Sequence, residues 1–127
     1  MAAERILVVE DNEKNMKLFR DVLEAKGYTP VEATTGEEAV ALAAKHAPDL
    51  ILMDVQLPGI DGVEALNRIR ADDRNPRVSV LALTAQAMRG DRERFLEAGF
   101  DGYISKPVDV LEFVETVRRH CEGEAGE

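Results

Sequence analysis

Cysteine is nearly absent: Cys121 stands alone, so no internal disulfide can form and a disulfide-stapled secreted domain is excluded. Long apolar runs are missing as well. With 32% of residues charged, no stretch is left to cross a bilayer. The start, "MAAERILVVED", reaches the acidic pair Glu10-Asp11 too soon for a secretory leader. These absences together lead to the expectation of a reducing, cytoplasmic location without membrane contact. Positive charge is scarce, 16 Lys and Arg against 25 Asp and Glu for a net charge of -9. That balance argues against direct binding of nucleic acid phosphates. At 127 residues there is one ordinary core and no room for two.

What is present alternates. The segment "RILVVE" (5–10) is an almost continuous β-branched and leucine run, as in a strand buried on both faces. "NEKNMKLFRDVLEAKG" (12–27) places Met16, Phe19, Val22 and Leu23 at helical spacing, with Gly27 as a stop. "YTPVEA" (28–33) is a weaker strand, and Thr35 with Glu38 forms a capping box that opens a helix through about Lys45. Leu50 to Asp54 is a third strand, and Asp61 caps a helix containing Val63, Leu66 and Ile69. "RVSVLALT" (77–84) is a fourth strand, followed by a helix over 86–98 ending at Gly99. The short strand "DGYIS" (101–105) and a last helix complete the series; Asp109 and Glu112 open that helix, which contains Leu111, Val114 and Val117. Met16, Met53 and Met88 read as core fillers.

Strict alternation of strands and helices implies an α/β doubly wound fold: a parallel sheet between two helical layers, because right-handed crossovers require it. Pro30 cannot donate to a ladder, so the second strand belongs at an edge, and the short Asp-Gly run suits the other edge. The result is a flavodoxin-like (βα)5 arrangement with strand order 2-1-3-4-5 and a crevice beyond the carboxyl ends of the central strands. One domain is expected over residues 1–122. The acidic tail, 123–127, is expected to be disordered.

That topology directs attention to the strand ends. Strand one ends in Glu10-Asp11, strand three in Asp54, strand four in Thr84, and strand five leads to Lys106-Pro107. Any one of these acids taken singly is better read as a turn former or helix cap. Three carboxylates with a hydroxyl and an ammonium, each at a separate strand end, make coincidence a poor account. Crowded carboxylates repel and raise one another's pKa unless a cation compensates. Magnesium suits them, since it takes hard oxygen ligands and pairs with phosphate oxygens; manganese is the alternative ion. A strand-end carboxylate nucleophile beside a metal and a lysine is a site for making an aspartyl phosphate. His46 and His120 fall outside this cluster and are not expected to be catalytic. "RGDRER" (89–94) reads as a solvated face.

Glu10-Asp11, "LILMD" ending at Asp54, "LPGIDG", "ALTA" and "YISKP" resemble the response-regulator receiver domain of two-component and phosphorelay signalling, over residues 5 to about 120. "VEDNEKNMKLF", "QLP" and "AQAMRGDRERF" are similar to stand-alone receivers and to those of hybrid kinases. The resemblance implies Asp54 as phosphoacceptor, and Asp11, Asp54 and the Gln56 backbone carbonyl as magnesium ligands with Glu10 acting through water. It implies that Thr84 and Lys106 contact phosphoryl oxygens, that Thr84 and Tyr103 form a switch, and that a cis bond precedes Pro107. The implied partners are a sensor or hybrid histidine kinase, or a histidine phosphotransfer protein, and a downstream protein reading the face of helix four, strand five and helix five. The product is a self-directed signalling module, able also to hydrolyse its own phosphoryl group, rather than a conventional enzyme. The native-looking start favours a stand-alone receiver. Two other classes fit worse. A haloacid-dehalogenase-like phosphatase normally needs a second acid two positions past its nucleophile, where this chain has Gln56. A flavodoxin needs a phosphate-cradling loop after strand one, where Glu10-Asp11 would repel phosphate.

Overall fold

A computed structural model describes residues 4–57, 59–72, 78–85 and 91–121, without the side chains of residues 91 and 92. Met88, the first part of the expected fourth helix (86–90) and the 123–127 tail lie outside the described residues. The elements run β1 (Arg5–Val9), α1 (Glu13–Ala25), β2 (Thr29–Ala33), α2 (Gly36–His46), β3 (Leu50–Asp54), α3 (Gly62–Ala71), β4 (Ser79–Thr84), α4 (Asp91–Ala98), β5 (Gly102–Ser105) and α5 (Val110–Cys121). All pairings are parallel, in the order β2-β1-β3-β4-β5. Pro30 lies on the edge strand β2, as its missing N–H requires.

The strands alternate between two cores. Leu7, Val9, Ile51, Met53, Val80 and Ala82 face α2, α3 and α4, whose Ala39, Ala65, Leu66 and Phe95 fill that side. Ile6, Val8, Leu50, Leu52, Leu81 and Leu83 face α1 and α5. There Phe19 and Phe113 stack with ring centroids 5.3 Å apart, a contact worth about 0.5–1.5 kcal/mol beyond the area it buries. No helix among the described residues is long and apolar enough to cross a membrane.

The expected caps are in place. Thr35 Oγ1 accepts from the Glu38 N–H at 3.1 Å, Asp61 Oδ1 from Glu64 at 2.9 Å, and Asp109 Oδ1 from Glu112 at 3.1 Å. Gly27 ends α1 with φ of 87°, a conformation that favours glycine. Two apolar residues, however, do not serve the core as expected. Leu111 is 83% exposed, and α5 instead buries Phe113 and Val117. Phe113 sits two residues on, roughly 200° around the helix, and its ring meets Phe19. Val63 lies on the outer side of α3, where Ala65, Leu66 and Ile69 supply the buried face.

Candidate functional site

The carboxyl ends of β1 and β3, and the residue after β5, bring opposite charges together. Asp54, the last residue of β3, is buried, and so is Glu10, one residue past β1. Asp11 beside it is exposed. One oxygen from each of Glu10, Asp11 and Asp54 can be chosen so that all lie within 4.8 Å of one another. Lys106 is fixed by its backbone N–H, which donates to the Thr84 carbonyl at 2.8 Å. Its side chain passes the end of β4, and Nζ lies 2.9 Å from Asp54 Oδ2 and 2.8 Å from Glu10 Oε1. The Lys106-Pro107 peptide is cis, as the family resemblance implies.

Backbone donors aim the carboxylates. The Gln56 N–H donates to Asp54 Oδ1 at 2.9 Å, and the Asn12 N–H to Glu10 Oε2 at 3.1 Å. Glu10 Oε1 is different. It is buried and, among the described residues, no donor meets it with hydrogen-bond geometry, so its contact with Lys106 is charge proximity without alignment. Burial pushes the Glu10 carboxyl above its usual range, Lys106 and the Asn12 N–H pull the other way, and neighbouring Asp54 adds to the rise. For Lys106, burial works against the charged form, yet the contacts with Glu10 and Asp54 outweigh it and raise the ammonium. Among the described residues, one ammonium thus meets two of the three clustered carboxylates. A buried carboxylate oxygen short of a donor, in an oxygen-only cluster with surplus negative charge, fits a hard divalent cation.

Thr84 is buried at the end of β4. By strand alternation it shares a face with Val80 and Ala82, and Tyr103, which pairs with Ala82 in β5, packs on that same core. Tyr103 is half-buried, its ring centroid 6.0 Å from that of Phe95 on α4. Residues 84 and 103 are therefore diagonal neighbours on one sheet face.

The structure brings together Glu10, Asp11, Asp54 and Lys106, holds Gln56 to Asp54 through its N–H, and sets Thr84 on β4 and Tyr103 on β5 as diagonal neighbours. His46 ends α2, and His120 points Nδ1 at the Thr116 carbonyl within α5, so both stand apart. Sequence reading passed over Asn12, which caps α1 through Oδ1 and also holds Glu10 through its N–H. An Asn directly after two acids and before a helical run is the signal for that double duty. It also passed over Gly62, where a Cβ would lie 2.5 Å from the Asp54 carbonyl oxygen.

A family profile described as "Response regulator receiver domain" matches residues 6–118. The polar-differentiation response regulator DivK of Brucella anthropi is 49% identical over 91% of this chain and 94% of its own. Among solved structures, the receiver domain of a sensor histidine kinase from Pseudomonas aeruginosa, with magnesium coordinated in its active-site cleft, superposes with a TM-score of 0.87; the two are 39% identical over 95% of this chain and 99% of that one. The chemotaxis protein CheY4 of Vibrio cholerae superposes with a TM-score of 0.87 at 26% identity, over 93% and 98% of the two chains. The strand order, the charge cluster at the strand ends and these likenesses agree: this chain belongs to the response-regulator receiver domain family of two-component signalling.

Proposed function

We propose that Asp54 accepts a phosphoryl group from a phosphohistidine on a sensor or hybrid histidine kinase, or on a histidine phosphotransfer protein, and that the phosphorylated form is read by a downstream protein. The observation that carries this reading is the Asp54 carboxylate itself: buried, terminal on its strand, and held at both oxygens, by the Gln56 N–H and by Lys106 Nζ. A rigid, oriented nucleophile lowers the barrier through positioning. An Asp54 oxygen attacks phosphorus, the P–N bond to the donor histidine breaks, and the imidazole leaves with the electron pair and takes a proton. Lys106 moves from neutralising carboxylates to neutralising a phosphoryl oxygen. Asp11, Asp54 and the Gln56 carbonyl, with Glu10 through water, are the residues that would hold magnesium or manganese. When bound, that ion supplies positive charge to the transferring group. Water oriented at the same site returns Asp54 to its free form.

Phosphorylation replaces the single negative charge of the Asp54 carboxylate by an acyl phosphate carrying about -1.5 to -2. The Thr84 hydroxyl turns to a new oxygen, and Tyr103 moves into the space it leaves, which biases two pre-existing states. The readout face is α4, β5 and α5. It is supported by a groove of about 380 Å³ lined by Tyr103 and Ser105 from β5 and by Glu112 and Thr116 from α5, and by Leu96, 43% exposed on α4. Residues 1–122 form the functional unit, working in the cytoplasm.

The test is labelling with acetyl phosphate and magnesium, read by intact-protein mass spectrometry. One base-labile phosphoryl group should appear, and Asp54→Asn should abolish it. Labelling of the variant at the wild-type rate would move the acceptor elsewhere.

A further inference from the structure

The segment joining β3 to α3 carries Gln56, and close approaches pin it at two places. At its base, the Gly62 N–H donates to the Val55 carbonyl at 3.2 Å, and a Cβ on Gly62 would lie 2.5 Å from the Asp54 carbonyl oxygen. At its far side, Ile60 seats on the first turn of α2. A Cβ on Gly36 would lie 2.5 Å from Ile60 Cγ1 and 2.7 Å from the Ile60 carbonyl oxygen. Gly59, with φ of 75°, faces that turn too, and a Cβ there would meet the Glu37 carboxylate at 2.8 Å. Gly36 is buried at the first position of α2, where its backbone conformation calls for no glycine. The three atoms nearest such a Cβ all belong to Ile60.

We infer that Gly36 is a positioning residue for the metal and phosphoryl site: it lets α2 hold the β3–α3 segment where the Gln56 carbonyl serves as a ligand. The inference rests on the proposed role of that carbonyl. Of the two contacts a Cβ would make below 3 Å, one is to backbone, which yields only by shifting the segment. That shift arises four residues from Gln56, and the Gly62 anchor keeps it from dissipating toward α3. Gly36→Ala should therefore weaken magnesium while leaving the nucleophile in place. Residues that orient a metal ligand affect affinity by about 10–100-fold.

The experiment follows Asp54 labelling by acetyl phosphate as magnesium is varied. Gly36→Ala should raise the magnesium midpoint by about tenfold, with the rate at saturating magnesium close to wild type. Loss of fold stability alone raises the midpoint only by the inverse of the folded fraction, so a variant that stays more than about half folded shows less than about a twofold shift from that cause. Gly27→Ala supplies that control. Its site has φ of 87° and nothing within 4 Å of the added Cβ, and it lies at the opposite end of the strands, so it should lower Tm and leave the midpoint unchanged. The double variant Gly36→Ala/Ile60→Ala removes the side-chain part of the clash and should recover part of the affinity. Should Gly36→Ala fail to fold, Ile60→Ala alone, which loosens the same seat, should still raise the midpoint. A wild-type midpoint in whichever of these two variants folds overturns the inference. Magnesium-independent labelling of wild type would instead overturn the reading of the site on which it rests.

Discussion

Replacing Lys106 by Met keeps the aliphatic stem and deletes the one cation that, among the described residues, lies within 3 Å of Glu10 and Asp54. The Lys106 side chain is 16% exposed, that of Asp54 7% and that of Glu10 1%, so water screens the three groups little. A hydrogen bond to a charged group contributes about 1.5–3 kcal/mol. Stripping one partner from a buried pair costs about 3–5 kcal/mol, because a charge is left unpaired. Only the Asp54 contact is a directed hydrogen bond, and Glu10 can take up a proton, so the lower end applies: about 3 kcal/mol at neutral pH. For a chain of this size that is a fall in Tm of about 10 °C. The cost must depend on pH. The Glu10 carboxyl is already raised above 4.5, and losing Lys106 raises it further. An acid with a raised folded-state pKa destabilises the fold increasingly as pH rises from its unfolded-state value through the folded one, and ceases to do so below the unfolded-state value. The Lys106 ammonium, itself raised above 10.5, keeps its stabilising charge throughout the neutral range. The gap between wild type and variant should therefore narrow as pH falls from about 7.5 toward 4.5, because the raised Glu10 carboxyl takes up its proton on the way. Urea unfolding followed by far-ultraviolet circular dichroism at both pH values measures it, and magnesium should stabilise the variant more than the wild type. A variant as stable as wild type at neutral pH, or a deficit that does not shrink in acid, would refute this account of the charge cluster.

Two further outcomes follow from the same geometry. Thr84→Ala should accept the phosphoryl group at Asp54 but lose most of the chemical-shift change at Tyr103 and Phe95 on adding beryllium fluoride; a full wild-type response with the mimic bound removes Thr84 from the switch. Magnesium binding should release protons below neutral pH, because the ion displaces the proton that the raised Glu10 carboxyl retains, so affinity should fall as pH falls toward 4.5. Calorimetry in buffers of different ionisation enthalpy reads the release, and Glu10→Gln should abolish it.

The strand order was legible because Pro30 and the short β5 run mark the edges, and the acids and lysine were legible because each ends an apolar run. The partner choices of Lys106 were not. They depend on side chains converging from three separate strands, and nothing local in "YISKP" says that Glu10 shares the ammonium with Asp54. The helix face was read correctly where the apolar residues repeat at helical spacing, as in α1 with Met16, Phe19 and Leu23. In α5, Val110, Leu111, Phe113, Val114 and Val117 leave two faces open, and Phe19 on a distant helix decides between them. Gly36 reads locally as an ordinary helix start; only Ile60, far along the chain, reveals why a side chain is missing there.

The Asp54–Lys106 bond, between residues 52 apart in the chain, joins strands that are not neighbours in the sheet, and Glu10 follows directly on β1. The reactive constellation is therefore complete only once β5 has joined the sheet. On the ribosome it does not exist until β5 has emerged and docked beside β4, since no earlier fragment contains the ammonium. Long-range strand pairing of this kind forms late because loop closure must precede it. A copy whose β5 has not docked thus lacks the ammonium of the site, and chain order alone restricts the complete site to molecules whose five-stranded sheet has assembled.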